Sequence, residues 1–351
     1  MKARIVIGSN YGDEGKGTVV ASYTKQSENV LNILTNGGAQ RGHSILTKDG
    51  NITNQHFGSG TYFGAANYYS RFFILNPMQF VKEYNALIVK PKVFRDARCL
   101  WSTPYDSIAN SIEEEQKGTH GSCRMGIWNT IKRTRDMGFC PFDLFLQGNP
   151  TLTLQKVKEY YERNLTIPED WKSVWNAPGL AQHFIADCHF MLLHTIVCDL
   201  SILKYDNLIF ENGQGLLLCD KGKDTFDTTP SNTGIKYALE LLKELPEMDV
   251  TAHYVTRPYL TRHGDGHIEG KVANNYSLSY SVEEDRTNHF NEAQGLFRYG
   301  KLDLSALKER IEKDAGQVKF KVEVTHCDEM DREKEFKQLF SDVSFIDTPL
   351  V

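Results

Sequence analysis

"RIVIGSNYGDEGKGTVVASYT", residues 4–24, decides the fold. A short β-branched apolar run leads through a glycine-rich loop into a helical pattern, the order of a parallel strand, its turn and its crossover helix. Such loops bind phosphate, because glycines let backbone N–H groups approach the anion and the helix N-terminus behind them favours negative charge. This one departs from the common form. G-x-x-x-x-G-K-[ST] would need glycine where Asn10 stands, and Ser or Thr where Gly17 stands. Two carboxylates, Asp13 and Glu14, also sit where anions should lie. Gly12, Gly15 and Gly17 are candidate backbone contacts to phosphate, and Lys16 is a candidate point charge. A loop carboxylate such as Asp13 can ligate Mg²⁺ between phosphates, or take a proton from a substrate N–H. A plain acidic turn would account for the loop by itself.

The same punctuation recurs along the chain. "VLNILTNGG", "FFILNP", "RCLWSTP", "NLIFENGQG", "HYVTRPY" and "FKVEVTHCD" are short apolar runs that end in polar or glycine clusters. That is how buried parallel strands with functional loops at their C-terminal ends read. Between them, "PMQFVKEYNALI", "QHFIADCHFMLLHTIVCDLSIL" and "TGIKYALELLKEL" carry helical spacing. The pattern predicts an α/β fold with a mostly parallel central sheet and flanking helices. It predicts a single domain over residues 1–351, with an irregular, helical insertion around 104–170.

Bulk properties narrow the function classes. A hydrophobic share of 40% and a charged share of 24% are those of an ordinary globular chain. A net charge of −5 supplies no global basic field, so neither nucleic acid nor anionic lipid is expected as a partner. No apolar run approaches the roughly 18 residues of a membrane span. The N-terminal run is too short for a signal peptide, so a cytoplasmic protein is expected. Seven cysteines are scattered without a C-x-x-C pair, which suggests neither a zinc site nor a disulfide framework.

A second glycine cluster changes the weight of the first. "TNGGAQRGHS", residues 35–44, ends a strand with Gly37, Gly38 and Gly42 ahead of His43. A histidine there can donate a hydrogen bond or a proton to charge developing on oxygen, or be only an exposed loop residue.

The pair, "GDEGKG" followed by "GG-x-x-x-GH", resembles adenylosuccinate synthetase. The likeness continues in order through "HFGSG" (56–60), "ILNP" (74–77), "HGSCRMGI" (120–127), "FENGQG" (210–215), "TTPSNT" (228–233), "TRHGDG" (261–266) and "VTHCD" (324–328). The resemblance implies a P-loop-related fold and a two-step, Mg²⁺-dependent ligase forming a C–N bond. A carboxylate removes the N1 proton of a 6-oxopurine nucleotide, and the 6-oxygen attacks the γ-phosphate of a nucleoside triphosphate. The amine of L-aspartate then displaces the 6-phosphoryl group. On this pattern Asp13 is the base and a Mg²⁺ ligand, His43 is the acid, and the Gly42 carbonyl is a second Mg²⁺ ligand. Lys16 would stabilise the transferred phosphoryl, and Gln214 would lie near the base or its 6-oxygen. Gly12, Glu14, Gly15, Gly17 and Gln40 would line the nucleotide site, with Gln40 where IMP-using members have asparagine. Ser122, Cys123 and Thr229 would face the acceptor 5′-phosphate, with Cys123 in place of a family threonine. Arg133 or Arg135 falls near an arginine that the family reaches across a homodimer. Asp328 would read the donor base, beside His326 in place of a lysine.

Departures from the pattern bear on the substrate. The family's aspartate loop, a threonine pair and an arginine run, is replaced by "DRTNHFNEAQGLFRYGKLD", residues 285–303. Arg298 is the expected clamp for L-aspartate, with Thr287 and Asn288 nearby. This segment, the "TRHG" motif and an ending at "IDTPLV" look closer to the viral branch, which condenses aspartate with dGMP toward 2-aminoadenine nucleotides. Better-known members of that branch carry serine or a similar small residue in place of the loop aspartate, whereas Asp13 is what the IMP enzymes have. A carboxylate can nevertheless accept from both N1–H and the 2-amino group of guanine. The reading is dGMP as acceptor, giving N6-succino-2-amino-2′-deoxyadenylate, with ATP, dATP or GTP as donor. IMP with GTP is the alternative, and a P-loop-like NTPase or kinase without aspartate chemistry is the second.

Overall fold

The computed structural model describes residues 1–47, 50–118, 121–138, 140–219, 228–272, 290 and 293–346. Its strands are β1 (Lys2–Gly8), β2 (Val30–Leu34), β3 (His43–Thr47), β4 (Gly50–Asn54), β5 (Ala66–Tyr69), β6 (Ile74–Leu75), β7 (Val93–Arg95) and β8 (Leu100–Trp101). They continue with β9 (Ile196–Val197), β10 (Asn207–Gly215), β11 (Asp249–Thr256), β12 (Leu260–Arg262), β13 (Lys271–Val272), β14 (Arg298–Gly300), β15 (Phe320–Thr325) and β16 (Val343–Ile346). The helices are α1 (Lys16–Lys25), α2 (Pro77–Ala86), α3 (Pro104–Lys117), α4 (Ile127–Met137), α5 (Phe142–Gln147) and α6 (Pro150–Asn164). After them come α7 (Glu169–Trp175), α8 (Leu180–Leu193), α9 (Lys236–Leu242), α10 (Leu304–Ala315) and α11 (Glu333–Leu339).

Nine strands form one sheet in the order β16-β15-β11-β1-β10-β2-β5-β7-β9. Every neighbouring pair in it is parallel. The central strands read as near-continuous apolar runs because both their faces are covered. One face packs Ile5, Ile7, Leu31, Ile33, Phe210 and Tyr254 into the largest core cluster. Val6, Val19, Val20 and Ile209 gather on the other, under α1. Since the strands run one way, the loops after β1, β2, β10, β11 and β15 open at one edge of the sheet, where α/β folds place their ligands. No helix among the described residues is long and apolar enough to cross a membrane.

Three expectations need correction. "FFILNP" and "RCLWSTP" do not join the main sheet; β6 and β8 pair with each other instead. Their side chains go to a separate aromatic core, where Leu75 and Trp101 pack with Phe142, Phe145 and Phe184 of the inserted helices. The helices that follow Pro104 continue past 170, with α7 and α8 reaching Leu193. The long helical pattern after Gln182 also breaks. Thr195, Ile196 and Val197 are β-branched, and β9 adds to the sheet edge beside β7. A small antiparallel sheet, β12-β14-β13, and the hairpin β3-β4 complete the frame around the open edge.

Candidate active site

The carboxylates of the first loop have different jobs. Glu14 is turned inward: its Oε1 accepts from the backbone N–H of Asn10 at 3.0 Å and of Gly12 at 2.8 Å. It is a strut for the loop, which corrects its assignment as a nucleotide contact. Burial pushes the Glu14 carboxyl up, against the pull of Lys16 and of the Gly12 N–H. Lys16 lies 3.6 Å from Glu14 and donates to the Gly12 carbonyl at 2.6 Å, so in this structure it too is tied within the loop. Burial pushes its ammonium down. Asp13, between them, is half-exposed. Its carbonyl accepts from Arg257 Nε at 2.7 Å, which fixes the backbone of the loop there. Gly12 has φ 110°, and a Cβ there would lie 3.0 Å from the Gln214 Cα, so only glycine lets the β1 and β10 loops meet. Gly15, at φ 84°, caps α1 without a side-chain partner, which leaves the helix's first N–H groups for an anion.

His43 opens β3 and is only 4% exposed. Its Nδ1 contacts the Glu211 carboxylate, and Arg41 lies 3.2 Å from the same oxygen. Ser59 donates to Glu211 from its N–H at 3.0 Å and its hydroxyl at 2.7 Å. Burial works against the Glu211 charge, but Arg41, His43 and Ser59 outweigh it and hold the carboxyl down at about 2. Burial and then Arg41 push His43 down to about 4. Gln214, the penultimate residue of β10, has φ 65° and lies against Gly12 of the first loop. The sequence reading missed Glu211, Arg41 and Arg257. A lone acid closing the apolar run "NLIFE", and an arginine inside a glycine loop, were the available signals.

Of the residues expected at the acceptor phosphate, Cys123 lies against the Gln40 carbonyl, with its Sγ at 3.6 Å, and burial pushes its thiol up to about 12. Both ends of the Gln40 side-chain amide are shielded and without a partner. Ser122 donates to Asn110 at 3.2 Å, and Thr229 stands half-buried beyond β10. The two arginines of α4 separate clearly. Arg133 is turned into its own subunit, with Nε 2.7 Å from Asp106 and Nη2 2.9 Å from the Trp101 carbonyl. Its guanidinium is engaged within its own chain, while Arg135 is 70% exposed.

Arg298 sits in β14 with Nη1 on the Gly266 carbonyl at 2.7 Å. Its Nε and Nη2, one bidentate edge of the guanidinium, are buried without partners. Thr287 and Asn288 lie outside the described residues. The donor-side motif abuts the phosphate loop: Thr325 Oγ1 donates to the Glu14 carbonyl at 2.7 Å. His326, at φ 57°, is buried and Asp328 is exposed. The donor set suits Mg²⁺. No group of three or more His, Cys, Asp or Glu forms a cage among the described residues. Asp13 and the exposed Gly42 backbone offer the hard oxygens that this ion combines with substrate phosphates.

The model of one protein family, adenylosuccinate synthetase, matches residues 5–338. The chain belongs to the adenylosuccinate synthetase family. An adenylosuccinate synthetase of Dehalococcoides mccartyi is 28% identical over 174 residues, 47% of this chain and 41% of that protein. The match thus spans less than half of that relative's length. One from Borrelia recurrentis is 24% identical over 87% of this chain and 73% of its own. Two solved structures share the fold. The fully ligated Plasmodium falciparum adenylosuccinate synthetase has a TM-score of 0.68 at 19% identity, covering 93% of this chain and 77% of its own. The cyanophage S-2L succinoaminodeoxyadenylate synthetase PurZ, bound to dGMP and to dATP as energy donor, has a TM-score of 0.65 at 12% identity, covering 98% and 91%.

Proposed function

We propose that this member of the adenylosuccinate synthetase family is a ligase that condenses L-aspartate with the 6-oxo position of dGMP, using ATP or dATP, or GTP, as phosphoryl donor. What supports the ligase reading is that the loops bearing Asp13, His43 and Gln214 lie at one edge of the parallel sheet, and that Arg298 keeps a buried bidentate edge without partners. Asp13 takes the N1 proton and His43 serves the oxygen that receives the phosphoryl group, while α1 and the glycine loop hold the anion. Lys16 exchanges its Gly12 carbonyl for the transferred phosphoryl. Arg298 grips a carboxylate of L-aspartate through Nε and Nη2. Asp13 and the Gly42 carbonyl would hold Mg²⁺, which would supply charge neutralisation during phosphoryl transfer.

Two observations favour a guanine acceptor. The unpartnered Gln40 amide offers an acceptor oxygen that the 2-amino group can use and hypoxanthine cannot. The alignment also takes in 91% of the dGMP-bound phage enzyme. For IMP with GTP stands Asp13, the loop aspartate of the IMP-using enzymes. Arg135 is the arginine available to reach a partner's acceptor phosphate in a homodimer.

Initial rates with Mg²⁺, L-aspartate and ATP, comparing dGMP, GMP and IMP with GTP as second donor, decide the matter. Turnover confined to dGMP supports the proposal. Turnover confined to IMP replaces it with the compact adenylosuccinate synthetase reading. Triphosphate hydrolysis indifferent to aspartate removes both.

A further inference from the structure

We propose that Glu211 and Arg41 are positioning residues for His43: they fix which ring nitrogen carries the proton and where the other one faces. The proposal rests on the ligase reading for its kinetic consequence, but its geometry stands apart from it.

Glu211 lies in β10, between β1 and β2 at the centre of the sheet, with a fully buried side chain. Its backbone is locked into a parallel ladder on both sides, so the carboxylate cannot drift. One oxygen accepts from the Ser59 N–H, and the other meets the Ser59 hydroxyl, Arg41 and His43 Nδ1. An ionised carboxylate only accepts, so Nδ1 must be the protonated nitrogen and must donate. In the neutral ring Nε2 then carries the lone pair, and it donates to the substrate oxygen only once it has itself taken up a proton, the charged ring then being held by Glu211. Arg41 Nη2 is 3.3 Å from the same Nδ1, but a nitrogen already carrying hydrogen cannot accept from a guanidinium. Its partner is therefore Glu211, whose charge it neutralises inside the fold. Phe73, with its ring centroid 5.7 Å from the guanidinium carbon, floors the arginine, and its Nε is left without a partner. A buried carboxylate needs such a counter-charge, or the ring alone would have to supply it.

The test combines a spectrum with a rate. Ring ¹⁵N chemical shifts of labelled wild type, with the His43 signal assigned by its loss in His43→Asn, are expected to show the Nδ1–H tautomer. Glu211→Gln keeps the shape but can present either end of its amide, and is expected to give a mixture of tautomers. Its kcat is expected to fall about 10- to 100-fold, with KM for acceptor and for aspartate within about twofold. Should Glu211→Gln unfold, the double variant Arg41→Met/Glu211→Leu removes both charges, a change that buried pairs tolerate. It is expected to bind substrates normally and to show the same loss of kcat. Arg41→Lys, which keeps the charge, is expected to recover most of the rate that Arg41→Met loses. An unchanged ring tautomer in both Glu211 variants would overturn the proposal, and so would a loss confined to KM. If wild type turns over no 6-oxopurine, the ligase reading fails alone, and the ring spectrum still decides the placement.

Discussion

Among the buried arginines that face carboxylates, Arg133 and Arg41 differ in what is left over. In the helical insertion, Arg133 and Asp106 close on themselves. Asp106 also receives Tyr161 at 2.6 Å and the N–H and hydroxyl of Thr103 at 2.6 and 2.8 Å. Nothing in that cluster waits for a ligand, and its chemistry is that of a rivet between α3, α4 and α6. At the sheet edge, Arg41 and Glu211 share their space with polar atoms that are shielded yet unsatisfied. These are Arg41 Nε, both ends of the Gln40 amide, and one edge of Arg298. Buried polar groups without partners are costly, so a site that keeps several is organised for molecules that complete it. Completeness of hydrogen bonding, more than charge or burial, separates the rivet from the site.

Breaking that contrast is straightforward. Asp13→Asn and His43→Ala are expected to lower kcat by about 10²- to 10⁴-fold, with little change in the denaturant midpoint. A matching loss of stability would mean that these residues are structural. Arg133→Met should do the reverse. It strands Asp106 inside the insertion and is expected to cost about 3–5 kcal/mol in urea unfolding, with activity per folded molecule preserved. Arg298→Lys keeps the charge but loses the bidentate edge, and steady-state kinetics should show KM for aspartate rising about tenfold with KM for the nucleotides unchanged.

The smallest effect concerns pH. His56 is buried, with Nε2 accepting from the Asn76 N–H at 2.9 Å and Nδ1 2.8 Å from the Tyr69 hydroxyl. Burial, and then the charge of Arg41, push it from 6.5 down to about 3. Between those values the unfolded chain binds the proton and the folded one does not. Its contribution is therefore full above pH 6.5 and declines as pH falls through that window. Thermal unfolding of His56→Gln is expected to start from a lower Tm but to lose less of it between pH 7 and pH 4.

Much of this was legible in the sequence, for a physical reason. Strand-loop-helix units carry local signals, so "RIVIGSNYGDEGKGTVVASYT" gave β1, the loop and α1 almost to the residue, and the parallel sheet followed. Glycines and charged residues in strand-end loops marked Asp13, His43 and Gln214. What failed was non-local. "FFILNP" and "RCLWSTP" look like sheet strands, because nothing local says that Leu75 and Trp101 will face an aromatic core built by helices beyond residue 140. Arg133 and Arg135 read alike in "IKRTRD", two residues apart; only the helix turn, and Asp106 on α3, send one inward. Glu14 looked like a ligand contact beside Asp13, but its carboxylate turns inward onto the Asn10 and Gly12 N–H groups. The motif gave the residue types of the site, and the tertiary contacts gave their division of labour.

The strand order has a consequence for how the chain comes into being. Strands β1 and β2 never touch: β10, residues 207–215, is threaded between them. During synthesis the phosphate loop and the histidine loop emerge early, but the strand that spaces them, and the glutamate it bears, leave the ribosome far later. Until then the flanks of β1 and β2 that face β10 have no native partner and stay open to mispairing. Strand insertion is thus the slow, long-range event of folding, and catalytic geometry appears with it. A nascent chain halted ahead of β10 would hold the phosphate-loop and histidine-loop sequences and still lack a site.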